Sequence, residues 1–206
     1  MYEAYKGTRH AMPEELREQV PVIKEVLKAM QIPTVTQEGY EADDILGTLA
    51  ARSEKQGMEV TVVSGDRDLL QLATEKVKIR IPKTRGGKTV IEDYHTQDVI
   101  ESYQVEPKQI IELKALMGDS SDNIPGLPGV GEKTATKLIV AYGTIENAYE
   151  HRAEIKPAKA QKAFEEHYEL AQLSKTLATI NTDSPVEFTL EDARVEDFYT
   201  PEAYEW

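Results

Sequence analysis

Apolar positions along the chain follow two regimes, and the change between them lies near His95. From Pro13 to Met30 they recur at Leu16, Val20, Ile23, Leu27 and Met30, the three-and-four spacing of one helix face, opened by a proline and acidic residues. Pro21 inside this stripe predicts a kink or a division. A short strand is expected at Thr34–Thr36, then the turn Glu38-Gly39-Tyr40, then a helix over Ala42–Lys55 carried by Ile45, Leu46, Leu49 and Ala50 and closed by Gly57. Met58–Val63 reads as an apolar, β-branched run of the kind found in buried parallel strands. A helix from about Asp68 to Thr74 and a strand at Val77–Ile81 follow, and Gly86-Gly87 within the basic stretch Lys83–Lys88 predicts a hairpin turn. Beyond His95 the pattern is helical: Thr96–Tyr103, Lys108–Met117, Lys133–Tyr142, Ile145–His151 and Lys159–Leu177, with a weak strand near Val186–Leu190. The expected division is an α/β core over residues 1–104 and a helical subdomain over 105–206.

Three acidic clusters sit at the boundaries of these elements. Glu41, Asp43 and Asp44 fall at a helix start. Asp66 and Asp68 lie just past the carboxyl end of the Met58–Val63 strand, where open α/β sheets commonly bind ligands, and Asp119 and Asp122 lie in Gly-Asp-Ser-Ser-Asp-Asn. Like charges gathered in one cleft raise one another's pKa unless a cation neutralises them, and oxygen-only donors suit Mg²⁺ or Mn²⁺. Each pair taken alone has a plainer reading, helix capping by Asp119 or Asp122 or an Asx-turn at Asp66. Three clusters together favour a divalent-metal site and, with it, phosphate chemistry. In two-metal phosphoryl transfer the ions lie ~3.5–4 Å apart and clamp the attacking and leaving oxygens, so no protein nucleophile is required.

Composition narrows the choice. With 206 residues, 40% of them apolar, the chain can bury a core without staples, and zero cysteines exclude disulfides and thiolate zinc sites. Its four histidines are too scattered for a ligand set. Glu3, Lys6 and Arg9 with no apolar run after them predict neither a signal peptide nor a membrane span, hence a soluble cytosolic protein. A net charge of −13 argues at first against nucleic acid. However, seven of the 37 acidic residues belong to the candidate metal site, where two divalent ions would offset four charges. Basic residues gather at Lys6 and Arg9, at Arg80, Lys83, Arg85 and Lys88, and at Lys133 and Lys137, although each group alone reads first as a solvated face.

Gly126-Leu-Pro-Gly-Val-Gly131-Glu-Lys-Thr134 looks at first like a phosphate loop, but Glu132 separates the second glycine from Lys133, which excludes a Walker sequence. What remains is a helix, a Pro-Gly hairpin and a second helix. Its glycines let backbone N–H groups approach a phosphate beside a positive helix end, a grip on a DNA backbone that reads no bases. The plain alternative is a helix connector with a glycine cap. Tyr2, Tyr5, Lys6 and Arg9 likewise read either as core aromatics and solvated charges, or as a stacking ring and two cations for a scissile phosphate.

Tyr5-Lys6-Gly-Thr-Arg9, Gly39-Tyr-Glu-Ala-Asp-Asp44, Ser64-Gly-Asp-Arg-Asp68, Ala115-Leu-Met-Gly-Asp-Ser-Ser-Asp-Asn-Ile-Pro125 and Gly129-Val-Gly-Glu-Lys-Thr134 occur in one order and together closely resemble the 5′-nuclease domain of bacterial DNA polymerase I, a family that includes phage and eukaryotic flap endonucleases. The resemblance covers nearly the whole chain. It implies a PIN-like α/β core with a mostly parallel sheet plus a helix-hairpin-helix-like subdomain. The implied activity is a structure-specific 5′-3′ exonuclease and flap endonuclease acting with two Mg²⁺ or Mn²⁺ ions on flapped, branched or nicked DNA and on RNA primers, in the bacterial cytoplasm at the nucleoid. Glu41, Asp43, Asp44 and Asp66 would surround one ion, and Asp68, Asp119 and Asp122 the other. Lys6 and Arg9 match arch residues that steady the scissile phosphate, with Tyr5 a stacking position beside them. Gly129, Gly131, Lys133, Thr134 and Lys137 match the duplex-binding hairpin, whose loop carbonyls also hold K⁺. In the family an earlier strand ending in a metal-binding Asp and another ending in Phe-Asp precede the arch, whereas Met1 here begins at the arch. The expectation is therefore a sheet incomplete at its N-terminus with an unpaired edge, weak or absent activity in isolation, and a polymerase portion in the parent protein. Two other classes stay open: a branched-DNA-binding module that does not cleave, and a metal-dependent phosphoesterase acting on small substrates or RNA.

Overall fold

The computed structural model describes residues 2, 4–7, 11–195 and 200–204, the side chains of Arg85, Glu202 and Tyr204 excepted. Arg9, expected at the scissile phosphate, lies outside the described residues. The chain forms two compact units, one from Met1–Arg9 and Ala50–Ile180, the other from His10–Leu49 and Asn181–Trp206. No helix among the described residues is long and apolar enough to cross a membrane.

The first unit holds a three-stranded sheet in the order β1 (Val60–Val63), β2 (Val77–Arg85), β3 (Lys88–Tyr94). β1 pairs parallel with β2, Val60 opposite Val77, whereas β2 pairs antiparallel with β3, from Ile79 opposite Tyr94 to Arg85 opposite Lys88. The sheet is thus mixed, not mostly parallel. The correction traces to Gly86 and Gly87, whose φ values of +55° and +75° form a two-residue turn that returns the chain antiparallel beside itself. Val77, Ile79 and Ile81 alternate inward and are essentially buried. Outward-facing Arg80 grips Asp93 with two hydrogen bonds of 2.7 Å, and Lys83 reaches Glu92 at 2.8 Å.

These pairs titrate. Hydrogen bonds from Lys83 and Tyr94 hold the Glu92 carboxyl down at about 2, and Arg80 does the same for Asp93, also to about 2. Because both folded values lie below the ordinary ~4.3 and ~3.9, the stabilisation is complete above about pH 4 and disappears as pH falls towards 2. The groups are about one-third exposed, 32% for Glu92 and 36% for Asp93, so salt screens them. Amide exchange in the β2–β3 hairpin is therefore expected to accelerate between pH 4 and 2, and more so in low salt than in high. Exchange in the hairpin that tracks the helix at Ile110–Met117 throughout would show that the ion pairs do not hold it.

Helices α3 (Thr96–Tyr103), α4 (Ile110–Met117), α5 (Glu132–Tyr142), α6 (Ile145–Glu150) and α7 (Ala158–Ala178) complete this unit, close to their expected bounds. α3 starts where expected because His95 and Asp98 form a capping box, with His95 N–H donating to Asp98 at 2.7 Å. α4 turns Ile110, Leu113, Ala115 and Leu116 inward and packs on α7, whose buried residues include Ala160, Ala163, Phe164, Ala171 and Ala178. α7 departs from helical geometry at His167 (φ −136°), an irregularity its apolar spacing did not predict. The helix expected from Asp68 is a 3₁₀ turn over Arg67–Leu72, capped by Asp66.

The second unit carries α1 (Glu14–Ala29), the first half of α2 (Ala42–Lys55) and α8 (Pro201–Tyr204). α1 runs through Pro21 undivided and buries none of its residues. Neither the Thr34–Thr36 nor the Val186–Leu190 strand forms. Both segments lack a ladder partner among the described residues, and Pro33 and Pro185 each remove a backbone donor at their starts. Thr48 Oγ1 accepts the Ser184 N–H at 2.9 Å and ties the returning chain to α2.

Candidate functional site

A cavity of about 1150 Å³ opens in the first unit between the turn at Gly65–Asp68, the end of α3, one face of α4 and the start of α5. Each wall has a local cause. β1 delivers the chain to Ser64-Gly-Asp-Arg-Asp, where the Asp66 carboxylate accepts the Asp68 N–H at 2.9 Å and starts the 3₁₀ turn, aiming Asp68 inward. Asp66 thus performs the Asx-type capping that its sequence context also allowed. Asp119 and Ile124 exchange two backbone hydrogen bonds of 2.9 and 2.8 Å, closing the loop that carries Asp119 and Asp122. Asp119 also accepts from the Ser121 N–H at 2.8 Å and from its hydroxyl at 2.5 Å.

Between Asp68 and Asp119 sits a residue not singled out from the sequence. The Lys114 ammonium, on α4, contacts Oδ1 of Asp68 and Oδ2 of Asp119 at once. All three side chains are largely buried, at 13% exposure for Lys114 and Asp68 and 19% for Asp119. Burial raises the Asp68 carboxyl, and the nearby Lys114 charge only partly opposes it. Burial acts on Asp119 in the same sense, but hydrogen bonds from Lys114 and Ser121 outweigh it and hold that carboxyl at about 2. Burial works against the Lys114 charge too, and its two acidic partners overcome it and raise its pKa. The available signal was the charged pair Glu112 and Lys114 within the apolar run Ile110–Met117. Glu112 is spent on structure, accepting the Ile145 N–H at 3.0 Å and Lys175 at 2.7 Å.

The N-terminal segment joins the same loop. Lys6 N–H donates to the Asp122 carbonyl at 2.8 Å, its ammonium lies 4.0 Å from the Asp122 carboxylate, and Asn123 donates to the Ala4 carbonyl at 2.6 Å. Tyr5 stands beside them, with the Lys6 ammonium 4.9 Å from its ring centre. Lys6, Tyr5 and Asp122 are therefore brought together, at the loop that also carries Asp119. Glu41, Asp43 and Asp44 belong to the second unit at the start of α2, where Asp44 accepts N–H groups from Glu41 at 3.2 Å and Asn181 at 2.8 Å.

Lys133 and Lys137 line the same cavity, exposed on one face of α5, four residues apart. Neither enters an ion pair among the described residues. The hairpin before them places Gly129 at φ +77° and leaves Gly131 in open space, while Thr134 and Ala135 N–H close the first turn of α5 onto the Gly131 carbonyl at 3.0 and 2.9 Å.

Among the described residues, no three His, Cys, Asp or Glu side chains converge as a ready-made metal cage. Two carboxylates do converge on one cationic centre, and that centre is an ammonium. The pair still fits a hard ion, because Mg²⁺ is usually held by one or two carboxylates and keeps several waters.

The arrangement has known counterparts. A family model described as the 5′-3′ exonuclease N-terminal resolvase-like domain matches residues 1–104, and one described as the 5′-3′ exonuclease C-terminal SAM fold matches residues 105–201. DNA polymerase I of Bacillus caldotenax is 52% identical over 191 residues, 93% of this chain, and the chain spans only 22% of that polymerase. A bacteriophage T5 5′-exonuclease structure with bound divalent metal ions (zinc) superposes with a TM-score of 0.69 at 29% identity, covering 88% of this chain and 69% of that one. The bacteriophage T5 D15 flap endonuclease, in a pseudo-enzyme-product complex with DNA and metal ions, superposes with a TM-score of 0.67 at 26% identity, covering 88% and 68%.

Proposed function

The chain belongs to the 5′-3′ exonuclease family, and from that membership we propose that it hydrolyses phosphodiesters at the 5′ ends of flapped or nicked DNA and RNA primers, as the nuclease portion of a longer polymerase. One observation carries the reading: a single cavity is lined both by Asp68 and Asp119 and by Lys133 and Lys137. Acidic groups that can hold metal then share one cavity with basic groups that can hold a phosphate backbone. In the first unit the donors are Asp66, Asp68, Asp119 and Asp122, the second unit carries Glu41, Asp43 and Asp44 as a cluster of its own, and the ions are Mg²⁺ or Mn²⁺. When bound, these ions ease attack of water on the phosphodiester and offset the charge that develops on its oxygens. Lys6 steadies the phosphate and Tyr5 stacks on a neighbouring base. Lys133, Lys137, Thr134 and the glycine backbone of the hairpin grip the duplex without reading its sequence, K⁺ being a fit for the loop carbonyls.

The test is cleavage of a 5′-labelled flap duplex with and without Mg²⁺, with Asp66→Ala as control. Metal-dependent product lost in the control supports the nuclease. Salt-dependent binding without product leaves a branched-DNA-binding module in its place. Replacing both Lys133 and Lys137 by alanine is expected to flatten the slope of log affinity against log salt by about 0.9 per lost phosphate contact, or about 1.8 in all. A small-phosphoester hydrolase would not respond to that double substitution at all.

A further inference from the structure

The Lys114 ammonium occupies a position on which two of the proposed metal donors converge. An ammonium seated between Oδ1 of Asp68 and Oδ2 of Asp119 and a Mg²⁺ placed between those same oxygens compete for one space and repel each other. We propose that Lys114 is a built-in counter-cation that holds Asp68 and Asp119 together in the metal-free protein and must swing out before a divalent ion can bind between them. This rests on the reading of those two aspartates as metal donors.

The surroundings allow such a movement. Lys114 lines the 1150 Å³ cavity, so its four-carbon stem has open space to withdraw into, and Lys133 and Lys137, which line the same cavity, mark where a phosphate would lie. Withdrawal therefore carries the ammonium from carboxylates towards the substrate's own negative charge. Lys175 offers a contrast within the same unit. It too bridges two carboxylates, Glu112 at 2.7 Å and Glu146 at 2.8 Å, but Glu112 is committed to the Ile145 N–H and the cluster lies outside the cavity. The two lysines have like partners, and only Lys114 stands where an incoming ion would compete for them.

The metal-free form gains from this arrangement. Without a cation, Asp68 and Asp119 would face each other in a poorly hydrated wall, and one would stay protonated or the loop at Asp119 would open. A lysine in place keeps the donors aligned. The consequence is a weaker metal affinity than the bare carboxylates would show, since every ion bound must first displace an internal competitor.

The experiment measures Mn²⁺ binding by calorimetry, and thermal unfolding with and without Mn²⁺, on the full chain as wild type, Lys114→Met and Lys175→Met. Lys114→Met is expected to bind Mn²⁺ at least about tenfold more tightly than wild type, since a unit charge is removed at contact distance, while melting lower without metal and recovering as Mn²⁺ is added. Lys175→Met should melt lower with unchanged Mn²⁺ affinity. Lys114→Gln, which keeps a donor but loses the charge, carries the same expectation for Mn²⁺ affinity should the methionine variant fail to fold. Wild type that binds Mn²⁺ with an affinity the Lys114 variants leave unchanged or weaken overturns the counter-cation role alone. No Mn²⁺ binding by any variant overturns the metal reading and this inference together.

Discussion

Asp68→Asn is expected to lower Mn²⁺ affinity and Mg²⁺-dependent flap cleavage by at least about 100-fold, because even partners that merely orient a metal ligand are worth 10–100-fold. The fold should hardly notice. Asn preserves the shape, and the backbone N–H that donates to Asp66 remains. The lost charge was one that burial already disfavoured. Lys114 retains Asp119, so no buried cation is left alone. Stability should therefore change by no more than about 1 kcal/mol, well short of the cost of stripping a buried charge of every partner. Asp119→Asn differs in an informative way. Its second oxygen accepts from both the N–H and the hydroxyl of Ser121, so it should lose function and also loosen the loop. Cleavage by Asp68→Asn within threefold of wild type, in protein that melts normally, would mean that Asp68 is a structural partner of Lys114 and no metal donor.

Gly126→Ala is expected to unfold at a temperature lower by roughly 6–12 °C, corresponding to about 3 kcal/mol in a chain of this size. Two costs combine. Gly126 has φ +62°, which charges an alanine about 1–2 kcal/mol. Its Cβ would also stand 2.3 Å from the Gly118 nitrogen and 2.8 Å from the Gly118 Cα, backbone atoms that cannot turn aside. Gly118 is itself at φ +71° against the Ile124 carbonyl, so neither strand of the crossing can retreat. The Gly126 N–H further donates to the buried Ser174 hydroxyl at 2.9 Å, and Leu127 N–H to the Leu116 carbonyl at 2.8 Å. This crossing closes the loop that carries Asp119 and Asp122, so metal affinity should weaken along with stability. Gly131→Ala is the control, since its added Cβ meets nothing within 4 Å. Melting of Gly126→Ala within 2 °C of wild type would show that the loop relaxes freely, and the close packing of the two glycines would lose its role.

The elements read most accurately from residue spacing are those with local start and stop signals. α3 begins at a capping box, α5 follows the Gly131 turn and ends at Gly143, and the Gly86-Gly87 hairpin forms where two residues with positive φ were demanded. The errors share a cause. Thr34–Thr36 and Val186–Leu190 have strand-like residues but no ladder, because a strand exists only when a partner edge is presented to it. The parallel sheet expected from Met58–Val63 became mixed once the hairpin supplied β3. His167 interrupts α7 although nothing in its neighbours' spacing marks the site.

For the candidate site, the acidic clusters, the Lys133 hairpin and the N-terminal Tyr5-Lys6 pair were all visible as types and spacings, because each is a short segment whose chemistry is local. Their connections were not. That Lys6 meets Asp122 and that Lys114 bridges Asp68 and Asp119 depends on loops brought together across the chain. Which residues carry oxygen donors, which turns require glycine and which stretches coil are decided within a few residues, by side-chain chemistry and backbone sterics. Which cation sits between two carboxylates, and whether an aspartate caps a turn or faces a cavity, is decided only by packing, because burial and proximity set the strength of a charge and neither is a property of a residue alone.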